Sequence, residues 1–230
     1  TPVRRIAAVA FEGEPAVPEQ AIRLELSDQF GAMPSAARVP EMIAVLEVFY
    51  ADRGFRQAVI VPRLDARDAQ PERLTLVLSI TPGPRAAVRS VTVITTPGEP
   101  EAEVVRRLGL QAGRPFDRTA LDQRIADYEE DLRGRGYYEA RLRQSHDFAG
   151  DGAGVNVEVS VEPGPHVRVV FEGDPLEGNR EDLVPVREER TVDQDLLEDA
   201  SRRIEDALRR AGYRAAQAPF ARRQEGDEVI

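Results

Sequence analysis

Three times in this chain an amphipathic helix pattern stops on a glycine followed by an aromatic residue: Gly54-Phe55, Gly136-Tyr137 and Gly212-Tyr213. Four residues before these glycines stand Tyr50, Leu132 and Leu208, and eight before stand Leu46, Tyr128 and Ile204. Eleven before come Ile43, Ile125 and Ser201, and fifteen before come Val39, Leu121 and Leu197. These offsets trace one helix face, which only Ser201 interrupts. Nineteen residues before each glycine lies Ser35, Asp117 or Asp193, side chains able to cap a first turn. Glycine supplies the left-handed conformation that closes a helix. Start, stripe and stop agree in three places, which makes an internal repeat the governing constraint on the fold.

The flanking segments repeat as well. After each aromatic residue the pattern predicts a strand, a turn and a second strand. Leu74, Leu76, Leu78 and Ile80 alternate with Thr75, Val77 and Ser79, and Val155, Val157, Val159 and Val161 alternate with Asn156, Glu158 and Ser160. Period two with one polar side predicts a sheet covered on one face. The first two copies close on "TPGP" (81–84) and "EPGP" (162–165), short stiff connectors. Each copy opens with another strand, and Phe11 and Gly13 of the first correspond to Phe171 and Gly173 of the third. The middle copy replaces that ending with "TTPGEP" (95–100). A shorter helix is marked by Ile22 and Leu26, and by Val104, Val105 and Leu108. In the third copy Leu183 and Val184 run into Pro185, which predicts a short or irregular helix.

The expected fold is therefore α+β: three tandem β-α-α-β-β units, each a three-stranded mixed sheet with two helices on one face. The last strand of each is expected at the centre, beside its hairpin partner and parallel to the opening strand. The expected spans are 1–83, 84–164 and 165–230. The third copy reads as incomplete, with "GDEVI" as the opening of a final strand, and a chain starting at Thr1 reads as a processed or excised segment.

Composition agrees with several modest cores. Of 230 residues 41% are hydrophobic but only 6% aromatic, with no tryptophan. A net charge of −10 argues against general nucleic-acid or anionic-membrane binding. All 31 basic residues are arginine, which reads as biased base composition. Cysteine is absent, which removes disulfides and thiol chemistry. No apolar run is long enough for a membrane helix.

The opening "VRVVFEG", the capped helix ending on glycine and an aromatic residue, the alternating strand and the terminal "PG" together resemble the POTRA repeat. Such repeats form periplasmic arms of outer-membrane assembly proteins of the BamA and TamA kind. The resemblance extends over essentially the whole chain. It implies a Gram-negative periplasmic setting at the outer membrane and a parent chain continuing into its own C-terminal β-barrel. It implies binding of unfolded outer-membrane protein segments and of periplasmic accessory proteins, and no catalysis. The alternative within the resemblance is the arm of a TamA-like translocation or two-partner secretion pore with a dedicated client.

The residues offer little else. His146 reads as the end of a strand or turn and His166 as the opening of the third unit, neither a ligand nor a base. Glu129-Glu130-Asp131 reads as a solvated helix face, and Gly150, Gly152 and Gly154 as a hairpin. No catalytic, cofactor or metal residues are expected. An unrelated periplasmic enzyme or solute-binding protein would instead need one deep pocket with convergent polar groups.

Small sheets do offer edges, where backbone groups can receive another strand. The strand after the glycine carries Pro62 in the first unit and Pro219 in the third, and proline blunts an edge. The run Tyr138, Glu139, Ala140, Arg141, Leu142, Arg143 and Gln144 contains none, and is the expected client-binding edge. Tyr138, Ala140 and Leu142 are expected to face the helices, with Glu139, Arg141 and Arg143 opposite.

Overall fold

The computed structural model describes residues 4–67, 70–95, 100–173, 180–226 and 228–230. The chain runs β1 (Arg5–Glu12), α1 (Glu19–Phe30), α2 (Val39–Asp52), β2 (Val59–Arg67), β3 (Gln70–Thr81), β4 (Ala87–Thr95), α3 (Glu101–Leu108) and α4 (Arg118–Gly134). It continues through β5 (Arg141–Phe148), β6 (Gly154–Glu162), β7 (His166–Val167), α5 (Arg180–Leu183), α6 (Val186–Glu189), α7 (Gln194–Arg210), β8 (Gln224–Glu225) and β9 (Glu228–Val229). Three sheets form, ordered β1-β3-β2, β4-β6-β5 and β7-β9-β8, so the last strand of each unit is central. β3 runs parallel to β1 and antiparallel to β2, and β9 repeats this with β7 and β8. This is the β-α-α-β-β plan that the repeat predicts.

By compactness the chain divides into two bodies. One contains residues 1–92, 108–122 and 145–158, the other 93–107, 123–144 and 159–230. In the first, Leu76, Leu78 and Ile80 of β3 pack with Ile22 and Leu26 of α1 and with Met42, Leu46, Phe49 and Tyr50 of α2. A buried leucine of this kind contributes about 1.5–3 kcal/mol. Tyr50, fully buried, donates its hydroxyl to the Pro15 carbonyl at 2.8 Å, so its polar end is satisfied. Val77, expected on the open face, is also buried, flanked in register by Ala10 and Arg63. A long arginine stem beside it covers apolar surface while its charged head stays in solvent.

In the second body α7 carries Leu196 and Ala200 into a core with Val167, Val184, Val186, Val192 and Val229. Pro185 splits the shorter helix of this unit into α5 and α6. Ser201 breaks the apolar stripe with a purpose: its hydroxyl donates to the Ala218 carbonyl at 2.6 Å. In the middle sheet Val155, Val157, Val159 and Val161 of β6 are all buried. The endings "TTPGEP" and "GDP" fall largely outside the described residues, at 96–99 and 174–179, as does Asp227 of "GDEVI".

Three expectations are corrected. The strand does not follow the aromatic residue directly, because a turn intervenes in every unit. Ala58 donates its N–H to the Phe55 carbonyl at 3.2 Å, Ala140 to Tyr137 at 3.1 Å and Ala216 to Tyr213 at 3.2 Å. Pro219 is consequently in no strand; its segment is held to α7 by Ser201 and by the Ala218 N–H, which donates to Glu205 Oε1 at 3.2 Å. Nor is Glu129-Glu130-Asp131 merely a solvated face, because arginines from other elements converge on it. Arg187 of α6 donates to Glu130, and Arg107 of α3 donates to Asp131 at 2.5 Å.

Candidate functional site at the glycine turns and the outer strand of the middle sheet

The glycine turns are built alike. Gly54, Gly136 and Gly212 have φ of +88°, +92° and +104°, in the region that favours glycine. The next residue's N–H reaches back to the helix: Phe55 to the Tyr50 carbonyl at 2.9 Å, Tyr137 to Leu132 at 3.0 Å and Tyr213 to Leu208 at 3.0 Å. Each glycine N–H donates to the carbonyl three residues earlier, Ala51, Arg133 or Arg209. This is the two-bond left-handed helix closure, which satisfies carbonyls otherwise left open at a helix end. At the start of the same helices the Asp117 and Asp193 carboxylates accept from the N–H groups of Ala120 at 3.0 Å and Leu196 at 2.9 Å. Ser35 caps a short 3-10 turn ahead of α2, accepting from Ala37 at 3.3 Å.

The turns also join one unit to the next. The Gly54 carbonyl accepts from Ala86 at 2.8 Å, and the Gly136 carbonyl accepts from Val167 at 2.9 Å. Both donors follow a Pro-Gly-Pro and a basic residue. At the first junction Arg85 donates to the Arg53 carbonyl at 2.9 Å, pairs with Asp117 at 2.9 Å and lies 5.4 Å from the Phe55 ring centre. At the second, His166 lies 5.2 Å from the Tyr137 ring and its Nδ1 is 3.0 Å from Glu228 Oε1. There is no space for a side chain here. A Cβ on Gly54 would stand 2.6 Å from the Phe116 carbonyl oxygen, and one on Gly136 would stand 2.8 Å from His166 Nε2.

The expected client-binding run is divided by the structure. Arg141, Leu142, Arg143 and Gln144 lie in β5, an outer strand of its sheet. Tyr138, Glu139 and Ala140 precede it in the turn. Tyr138 packs against the core of the third unit and Glu139 lies against Gly164 of the linker, so these two serve the junction. Ala140 and Leu142 are buried, while Arg141 and Arg143 are exposed, as the alternation requires.

One amide near the start of that strand is already engaged: Leu142 donates to Glu129 Oε1 of α4 at 2.8 Å. Ladder groups alternate along a strand, so successive N–H groups of β5 face alternate edges of the strand. Glu129 also lies 3.7 Å from Arg133, a buried cation that pairs with Glu130 at 3.1 Å. Hydrogen bonds from Arg187 and Arg133 hold the Glu130 carboxyl below its ordinary pKa. The Glu205–Ala218 bond repeats the Glu129–Leu142 one, and Glu47 stands at the same distance before its glycine.

His146 is not at a strand end. It sits within β5 among Phe116 at 5.1 Å and Phe148 at 5.5 Å, and this burial lowers its imidazole pKa. The three glycines after it do make the hairpin, and Gln57 donates to its Asp151 carbonyl at 2.8 Å.

A cavity of about 610 Å³ opens in the third unit, between residues 168–173 and 217–223 beside the short β9. Its walls include the apolar Val184, Leu197, Ile204 and Phe220 and the charged Arg168, Glu172, Arg222 and Arg223. Among the described residues no three His, Cys, Asp or Glu side chains are grouped to hold a metal, and no helix is long and apolar enough to cross a membrane.

Residues 86–164 match the POTRA family model, described as a surface antigen variable number repeat. The third to fifth POTRA repeats of Haemophilus influenzae BamA are 20% identical, with 99% of this chain and 94% of that one covered at a TM-score of 0.42. The N-terminal domain of Omp85 from Thermosynechococcus elongatus is 18% identical, covering 97% and 93% at a TM-score of 0.38. The first three POTRA repeats of Anabaena Omp85 are 19% identical, covering 70% and 65% at a TM-score of 0.33. None of the curated proteins matches the chain. The segment from Ala86 to Gly164, the middle of three units of one plan, is the part of the chain that matches the POTRA family.

Proposed function

We propose that this chain forms part of a periplasmic arm of an outer-membrane assembly protein, and that it binds unfolded outer-membrane protein segments by adding them as a strand to a sheet edge. Periplasmic accessory proteins would dock on the same arm. The observation that supports this reading is β5, an outer strand within the segment 86–164 that matches the POTRA family, whose eight residues contain no proline. β2, its counterpart in the first unit, is interrupted by Pro62. Strand addition draws affinity from the backbone, so it tolerates clients of many sequences. The exposed Arg141 and Arg143 flank the site with positive charge.

Backbone pairing has a direct test. A client-derived peptide N-methylated on alternate residues loses its donors along one edge only. Methylation on one alternation set is expected to abolish binding, and on the other set to leave it intact. Equal binding by both peptides would overturn the strand-addition reading.

A further inference from the structure

One continuous chain of polar contacts runs from α6 of the third unit to the outer strand of the middle sheet, all of it within the second body. Arg187 of α6 donates through Nε to Glu130 Oε1 at 3.0 Å, and the other oxygen of that carboxylate accepts from Arg133 Nε at 3.1 Å. Arg133 Nη1 lies 3.7 Å from Glu129 Oε2, and Glu129 Oε1 takes the Leu142 N–H at 2.8 Å. The deepest link is Arg133, whose side chain is 6% exposed, against 49% for Arg187 and 52% for Glu130. Both Glu129 and Glu130 draw on this buried cation, so a stronger claim by one weakens the hold on the other. The first unit cannot build this relay, because Val48 and Ala51 stand where the middle unit has Glu130 and Arg133.

We propose that α6 regulates the strand-accepting edge of β5 through this relay, with Leu142 as the amide that is covered or released. The proposal rests on the strand-addition reading above. While Arg187 holds one oxygen of Glu130, that carboxylate makes a weaker claim on Arg133, whose charge then steadies Glu129. Glu129 so held keeps the Leu142 N–H covered, and an incoming strand finds that donor taken. When α6 moves away, Glu130 turns fully to Arg133, Glu129 loses its anchor, and the Leu142 N–H becomes available to a client carbonyl. α6 has only four residues, too few to be stable alone, so its place depends on contacts of this kind. Two states compete for one donor: Leu142 on Glu129, or Leu142 on the client. Docking of α6 and capture of a client therefore oppose each other, and by linkage each weakens the other to the same degree.

The probe is a synthetic peptide of about ten alternating apolar and polar residues, the pattern of a membrane-barrel strand, added to the whole chain. Without peptide, Arg187→Ala should speed exchange of the Leu142 amide. With peptide, the same variant should bind about two- to fivefold more tightly, the span of a partly exposed ion pair. Arg187→Lys keeps the charge and should stay near the parent. In a Glu130→Gln chain the competing carboxylate is gone, so adding Arg187→Ala should change neither readout, whereas a mere loosening of the third unit would move both. Amide exchange in β6 reports that the middle unit is folded in each variant. Unchanged Leu142 exchange in Arg187→Ala, equal or weaker peptide binding, or the same response in the Glu130→Gln chain would each overturn the relay. Peptide that protects no part of β5 in any variant, the parent included, would overturn strand addition and the proposal with it.

Discussion

The carbonyl of Gly54 accepts the N–H of Ala86 at 2.8 Å, so the residue that ends one unit's long helix also fastens the first strand of the next. Gly136 and Val167 repeat the relationship at 2.9 Å. Glycine is required twice over at these positions, by its positive φ and by the atoms packed where a Cβ would go. Gly54→Ala is therefore expected to cost about 1–3 kcal/mol in backbone strain alone, plus displacement of the Phe116 carbonyl. Gly212→Ala carries the strain without the clash and should cost less. Denaturant unfolding of the two variants checks the order.

Leu132 is fully buried on α4, four residues before Gly136. Leu132→Ala should destabilise the middle unit by about 2–5 kcal/mol through lost transfer energy and the cavity left behind. Residue-resolved hydrogen exchange should accelerate in α4, β5 and β6 more than in β1–β3. Uniform acceleration along the whole chain would show that the units do not have separate cores.

Much of this was legible in local sequence. The helix stops at Gly54, Gly136 and Gly212, the caps at Ser35, Asp117 and Asp193, and the central strands follow from spacing alone, because each depends on residues one or two turns apart. The turn after each glycine was missed, although "GFRQA", "GYYEA" and "GYRAA" share an alanine whose N–H closes it. The acids Glu47, Glu129 and Glu205, each seven residues before a glycine, were a second unread signal. The junctions could not be read, because a glycine carbonyl meets a strand about thirty residues away only after both units fold. The surroundings of Tyr138 could not be read for the same reason: it packs against the core of the third unit.

Glu129 accepts from the Leu142 N–H and stands beside the buried Arg133. Glu129→Ala leaves that amide without its acceptor and removes an acid from beside a buried cation. A loss of about 1–3 kcal/mol is expected. Glu129→Gln keeps an oxygen acceptor and should lose less. Faster exchange at the Leu142 amide would locate the effect.

Burial against Phe116 and Phe148 lowers the His146 pKa from its ordinary value of 6.5. Below that value the unfolded chain takes up a proton that the folded chain does not. This group's contribution to stability is complete above the unfolded pKa. It falls as pH drops through 6.5 towards the lower folded pKa, and is level below both. His146→Phe should flatten that part of the stability–pH curve, and an NMR titration of the imidazole should give a midpoint below 6.5.

Arg143 alternates with Leu142, so its N–H points into the sheet towards β6. Arg143→Pro should break that ladder and unfold the middle unit. Near-UV circular dichroism and amide exchange would report it, and an intact β5 in the variant would place the N–H on the wrong side.

Strand addition at β5 is the central claim, and amide exchange of the chain with and without an unfolded outer-membrane protein segment tests it most directly. Added protection along β5 at every second residue, in the set that points away from β6, is the expected result. Protection that appears instead on β2, on the helices or evenly along β5 would contradict the account.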